Sequence, residues 1–142
     1  MKCCLRYLLV IALPLLSVAA HGQVFASEEI PDSIWARMQG LSYPQGCGVP
    51  RSELRFLQLS HYDFEGNEHV GQMVCNRLIA DDLIHIFRKL HEARYPIARM
   101  RLIDEYRADD LRSMADNNTS CFCYRPVAGS KQLSKHSRGM AV

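Results

Sequence analysis

The chain reads LRFLQLSHY over residues 54–62, DFEGN over 63–67 and HVGQMVC over 69–75. The first run is rich in leucine and aromatic residues. Its Leu57 and Leu59 are two apart, which puts them on one face of a strand. Gly66 and Asn67 close a polar turn and the last run leads back, so the whole stretch predicts a β-hairpin.

Downstream, Asn76 is a residue type that caps helices. Ile79, Leu83, Ile86, Phe87 and Leu90 follow at helical spacing, with Asp81, Asp82, Arg88 and Lys89 off that face. The two aspartates suit the positive end of the helix dipole, and Pro96 requires the helix to stop at Tyr95 or before. Residues 97–103 read as a short strand and 107–114 as a small helix. A polar loop over 116–120 precedes a second short strand at 121–125, and 126–133 is a loop around Gly129. Upstream, residues 27–50 are punctuated by Pro31, Pro44, Gly46, Gly48 and Pro50, with one short helical turn at 33–38. Helices and strands mix without regular βαβ alternation. The expected class is α+β, a small mixed antiparallel sheet with flanking helices.

The first 26 residues differ from the rest. Lys2 and Arg6 precede YLLVIALPLLSVAA (7–20), and small residues offer cleavage after Ala20 or Ala26. This is the layout of a secretory signal peptide, and Pro14 and its short length set it apart from a membrane span. The expected protein is therefore exported, periplasmic or secreted, and without a stable membrane anchor once the signal is removed. Residues 27–142 are the right size for one small domain. They carry 15 basic and 15 acidic residues, which argues against a nucleic-acid partner. Cys47, Cys75, Cys121 and Cys123 remain in that domain, and oxidising surroundings suit one or two disulfides. Three full pairings exist, a bridge from Cys47 to the 121–123 pair among them, and the sequence does not choose.

Six histidines are present. His21 belongs to the leader region. His61 and His69 flank the hairpin turn and are expected at its solvated end. His85 and His91 lie off the apolar stripe of the helix, six residues apart, which does not place them together. Asp81-Asp82 and Asp109-Asp110 read as solvated helix-start charges. His136 has different company: Ser134-Lys-His136-Ser-Arg-Gly139-Met-Ala141-Val142 offers small residues where a backbone must come close, and its last residues look like the start of a buried strand.

Ser134-x-His136-x-x-Gly139-x-Ala141 resembles the S-x-H-x-x-G-x-A-x-D signature of the D-alanyl-D-alanine carboxypeptidase-like zinc metallopeptidases. That family includes the vancomycin-resistance D,D-dipeptidases and carboxypeptidases and the phage L-alanyl-D-glutamate endopeptidases. Tyr62-Asp63-Phe64-x-Gly66, Gly71, Asn76 and Ala115-Asp-Asn-Asn-Thr-Ser-x-Phe122-x-x-Arg125 are similar to its carboxypeptidase-like branch. The likeness thus runs from about residue 47 to 142.

The resemblance implies a D,D-carboxypeptidase or hedgehog-like peptidase fold and a single zinc ion. His136 matches the first zinc ligand. Arg125 matches the catalytic arginine beside the metal, and Ser134 the serine that positions substrate. In the family the second ligand is an Asp, which would be residue 143. A later E-x-H unit supplies the general base and the third ligand. The chain is accordingly expected to be an N-terminal portion, incomplete at the C-terminus, of a peptidase acting on peptidoglycan stem peptides. It is expected to be monomeric and to be inactive without the missing groups, because catalytic zinc takes three protein ligands and an open position for water. The alternatives are a non-enzymatic exported remnant or cell-wall binding domain on the same scaffold, and a disulfide-stapled binding domain without metal.

Overall fold

The computed structural model describes residues 22–142, so most of the expected leader lies outside the described residues. Three strands form one antiparallel sheet in the order β1 (Phe25–Glu28), β2 (Leu54–Tyr62), β3 (Glu68–Asn76). The expected hairpin is β2–β3, in register from Leu54 opposite Asn76 to Tyr62 opposite Glu68. Asp63 closes its turn, its Oδ1 accepting from the backbone N–H of Glu65 (3.0 Å) and of Asn67 (2.8 Å).

Alternation along the strands divides the core in two. Leu57, Leu59, Met73 and Cys75 face α2 (Ala80–Glu92), which presents Ala80, Leu83 and Phe87. Leu54, Phe56 and Val74 point the other way, against Ile30 and against Ile34 and Met38 of α1 (Asp32–Met38), with Leu102 and Phe122. Each fully buried side chain of this size stabilises the fold by roughly 1.5–3 kcal/mol, so both layers are needed to hold the sheet. A third helix, α3 (Asp110–Ala115), is capped by Asp109, which accepts from the Arg112 N–H at 3.1 Å. The α+β class with flanking helices is as expected. The regular sheet is wholly antiparallel, and parallel pairing is confined to isolated bridges such as Tyr62 with Pro96.

Several local expectations change. β1 occupies residues assigned in part to the leader: Val24 and Ser60 exchange hydrogen bonds, the Ser60 N–H donating to the Val24 carbonyl (2.8 Å) and the Val24 N–H to Ser60 Oγ (2.9 Å). Cleavage after Ala26 would cut β1 in half; cleavage after Ala20 leaves it whole. Asn76 is not the cap of α2. It ends β3, and its Oδ1 accepts from the Leu78 N–H (3.0 Å) in the turn that leads to the helix. The buried stripe of α2 runs through Ala80, Leu83, Phe87 and His91, whereas Ile86 is 48% exposed. His91 is thus buried, because it continues the spacing of Leu83 and Phe87. His61 is buried as well, since it shares the face of Leu57 and Leu59.

Neither 97–103 nor 121–125 forms a strand, and Ile103 opens a 3₁₀ turn over Ile103–Tyr106. Instead the outer edge of β3 is covered by three separate pieces of chain. Gln72 N–H donates to the Met100 carbonyl, Phe122 N–H to the Val74 carbonyl and Asn76 N–H to the Gly139 carbonyl, each at 2.9 Å. Gly71 makes the first approach feasible, because a Cβ there would overlap Met100. All four cysteines of the domain are free thiols, so neither the Cys47 bridge nor any other is formed among the described residues. Burial pushes the Cys75 and Cys121 thiols up to about 12, which makes them inert core groups. Among the described residues no helix is long and apolar enough to cross a membrane.

Candidate functional site

The residues singled out by sequence lie where the last segment folds back on the 121–125 stretch. Ser134 N–H donates to the Arg125 carbonyl (3.1 Å) and Cys123 N–H to the His136 carbonyl (3.0 Å), while Pro126 and Leu133 form an antiparallel bridge. The Ser134 hydroxyl accepts from the His136 N–H (3.3 Å), which starts a 3₁₀ turn over Lys135–Arg138. That turn ends at Gly139, whose φ of +64° suits glycine. A Cβ at Gly139 would lie 2.7 Å from the backbone nitrogen of Asn76. Small size is therefore required here so that the segment can seat on β3.

His136 Nδ1 is 2.7 Å from the carbonyl oxygen of Cys121. A carbonyl only accepts, so Nδ1 carries the proton and Nε2 keeps its lone pair. Fixing one ring nitrogen on a backbone carbonyl is how metal-binding histidines are usually oriented.

Arg125 sits beside this turn with its side chain 26% exposed. Its terminal NH2 group donates to Asp110 Oδ1 at 2.9 Å, and the guanidinium lies against the Cys123 thiol, with Nε buried. Two residues that hold Arg125 were missed by the sequence reading. Ser137, fully buried, accepts from the Arg125 N–H (2.9 Å) and donates to its carbonyl (2.6 Å). Asp110, read as a solvated charge, is its ion-pair partner. Asn76 contributes a third clamp, its Nδ2 donating to the Arg138 carbonyl at 3.1 Å. Serine repeats around His136 hinted at Ser137; nothing local to Asp110 links it to a residue fifteen positions away.

Arg125, Ser134 and His136 are thus brought together by backbone pairing. A cleft of about 460 Å³ is lined by Gln132, Leu133, Ser134, Lys135, Arg138 and Met140, so of the three only Ser134 borders it. The donor chemistry of His136 fits a zinc ligand, but among the described residues no group of three or more His, Cys, Asp or Glu converges to hold a metal. The arrangement therefore offers one imidazole with a ring nitrogen left over from the Cys121 bond and one permanently charged guanidinium.

No protein-family model matches the chain, and neither the curated proteins nor the solved structures contain a significant match to it.

Proposed function

We propose that this chain carries the first zinc ligand and the substrate-holding arginine of an exported zinc-dependent peptidase, a carboxypeptidase or endopeptidase acting on peptidoglycan stem peptides. The observation that carries the reading is the His136 Nδ1–H bond to Cys121, which leaves Nε2 available within the segment that resembles the family's zinc signature. The partly exposed guanidinium of Arg125, held by Asp110, supports it from the substrate side.

Zinc, when bound, polarises a scissile carbonyl and acidifies a water. His136 would donate from Nε2, its ring held by Cys121. Arg125 would offer its guanidinium to a substrate carboxylate or to the oxygen that gains charge, a role suited to a group that never loses its proton. Asp110 and Ser137 would keep that fork aimed, and Ser134 would hold the turn. The reading requires an Asp and an E-x-H unit from chain beyond Val142. It also takes the protein as a monomer delivered to the periplasm or medium, with no nucleic-acid partner.

The coding sequence after the Val142 codon tests this most cheaply. An Asp codon followed later by E-x-H supports it, and a genuine stop codon in its place refutes it. In the protein of the complete reading frame, Arg125→Ala is expected to lower turnover of a stem peptide while zinc content stays unchanged.

A further inference from the structure

Another cleft, of about 500 Å³, is at the other end of β3. It lies between the turn of the hairpin and residues 98–101, and His61, Asp63 and His69 line it. His69 and Asn76 are seven residues apart on β3, roughly 23 Å at ~3.3 Å per residue, so this place is distinct from His136.

His61 and His69 are register partners across the hairpin. Their rings are 5.7 Å apart and inclined by 36°. His61 is only 4% exposed, yet it lines the cleft. Its Nδ1 faces the Leu59 carbonyl at 3.4 Å, and His69 Nε2 is 2.7 Å from Asp63 Oδ2. Both partners are acceptors, so in the neutral rings the protons sit on these nitrogens. The lone pairs remain on His61 Nε2 and His69 Nδ1.

The surrounding charge does not oppose a cation. Asp63 and Glu65 line the cleft along with Arg99 and Arg101. Arg99 is already committed to Asp116, at 3.0 Å from its carboxylate. His91 is likewise occupied, its Nε2 lying 2.8 Å from Glu68. The Asp63–His69 pair has the form of the carboxylate–histidine units that orient metal ligands.

We propose that His61 and His69 form a two-histidine site for a borderline divalent transition ion (Zn²⁺, Cu²⁺ or Ni²⁺), with Asp63 fixing the orientation of His69. Imidazole nitrogen suits these ions, and two protein ligands leave coordination positions open toward the cleft. No third protein ligand converges there among the described residues, so binding is weaker than at a closed structural site.

The test is titration of the untagged chain with Cu²⁺ and with Zn²⁺ by calorimetry, alongside electron paramagnetic resonance of the copper form. One ion should bind with nitrogen hyperfine structure. His69→Gln, a change at an exposed position, should weaken binding by at least about tenfold, and Asp63→Asn by about tenfold, the usual effect of losing an orienting partner. His136→Ala should leave this binding unchanged, which separates the site from the proposed peptidase centre. Binding unaffected by His69→Gln, copper spectra without nitrogen coupling, or loss of binding in His136→Ala alone would each overturn the proposal. In those cases the His69–Asp63 contact serves only to close the turn.

Discussion

His136 and Cys121 are fifteen residues apart and joined side chain to backbone, the imidazole Nδ1–H donating to the carbonyl at 2.7 Å. The bond fixes which ring nitrogen is free. In the protein of the complete reading frame, His136→Ala should bring zinc content from near stoichiometric to near zero by elemental analysis. Unchanged zinc would remove His136 from the ligand set. The same variant leaves a buried carbonyl unpaired and should destabilise the fold by about 1–3 kcal/mol in urea titrations.

Ser137→Ala should be destabilising for a related reason. Its hydroxyl both accepts from and donates to the backbone of Arg125; removal strands the Arg125 N–H, while the carbonyl keeps the Ser134 N–H. We expect a loss of about 1–3 kcal/mol, with Ser137→Thr falling between Ser137→Ala and the unaltered protein because it keeps the oxygen and adds a methyl to a filled space. Equilibrium denaturation reads both, and an effect of Ser137→Ala below about 0.5 kcal/mol would contradict the assigned role.

Gly139 and Gly129 have similar positive φ values, +64° and +73°, but different surroundings. A Cβ at Gly129 would meet nothing within 4 Å, whereas one at Gly139 would press on Asn76. Gly129→Ala should therefore cost about 1 kcal/mol from backbone strain alone. Gly139→Ala should cost more, by about 1–3 kcal/mol of added overpacking. Equal melting temperatures for the two variants would argue against close seating of the last segment on β3.

Asp63 sets the acid limit of the hairpin. Its bond to His69, ahead of those to Asn67, lowers its carboxyl from an ordinary value of 3.8 to about 2. A carboxyl whose folded pKa is depressed stabilises the fold above its unfolded pKa, and that contribution fades as pH falls from about 4 to about 2. Asp63→Asn should flatten this part of the stability–pH curve. Urea midpoints at several pH values between these limits provide the check, and an unchanged slope would count against the assignment.

Phe25 packs edge-on to His91 at 5.5 Å and lies under Arg88 at 4.9 Å, which ties β1 to α2. If the proposed leader is removed, mass spectrometry of the mature protein should find an N-terminus upstream of Val24. A chain begun at Ser27 should melt several degrees lower, since a lost contact of about 1 kcal/mol shifts a domain of this size by roughly 4–8 °C.

The hairpin and α2 were legible because their signals are local: alternation over β2, a turn with Gly66, and helical spacing from Leu83 to Phe87. Where the reading failed, a distant partner decided the outcome. His61 and His91 looked polar and solvated, but the face they occupy is set by Leu59 and Phe87, and an imidazole can be buried when a ring nitrogen finds a partner, the Leu59 carbonyl for His61 and Glu68 for His91. The pieces at 97–103 and 121–125 look like strands in isolation, and each touches β3 once before turning away, which no periodicity reveals. At the candidate site, His136, Arg125 and Ser134 were readable from a family-like spacing. Ser137, Asp110 and Asn76 were not, because their importance lies in contacts with residues far along the chain.

The covering of β3 by three separate pieces has a kinetic consequence. The hairpin closes over a short loop, but Asn76 must meet Arg138 and Gly139 across 62 and 63 positions. Long loops are closed late, after local structure has formed. A nascent chain thus exposes part of a ready-made strand edge until residues 134–139 arrive, and during that interval it is open to pairing with another copy. The His136 turn thereby guards β3 against self-association, so mutations that loosen it should be felt first as poor yield.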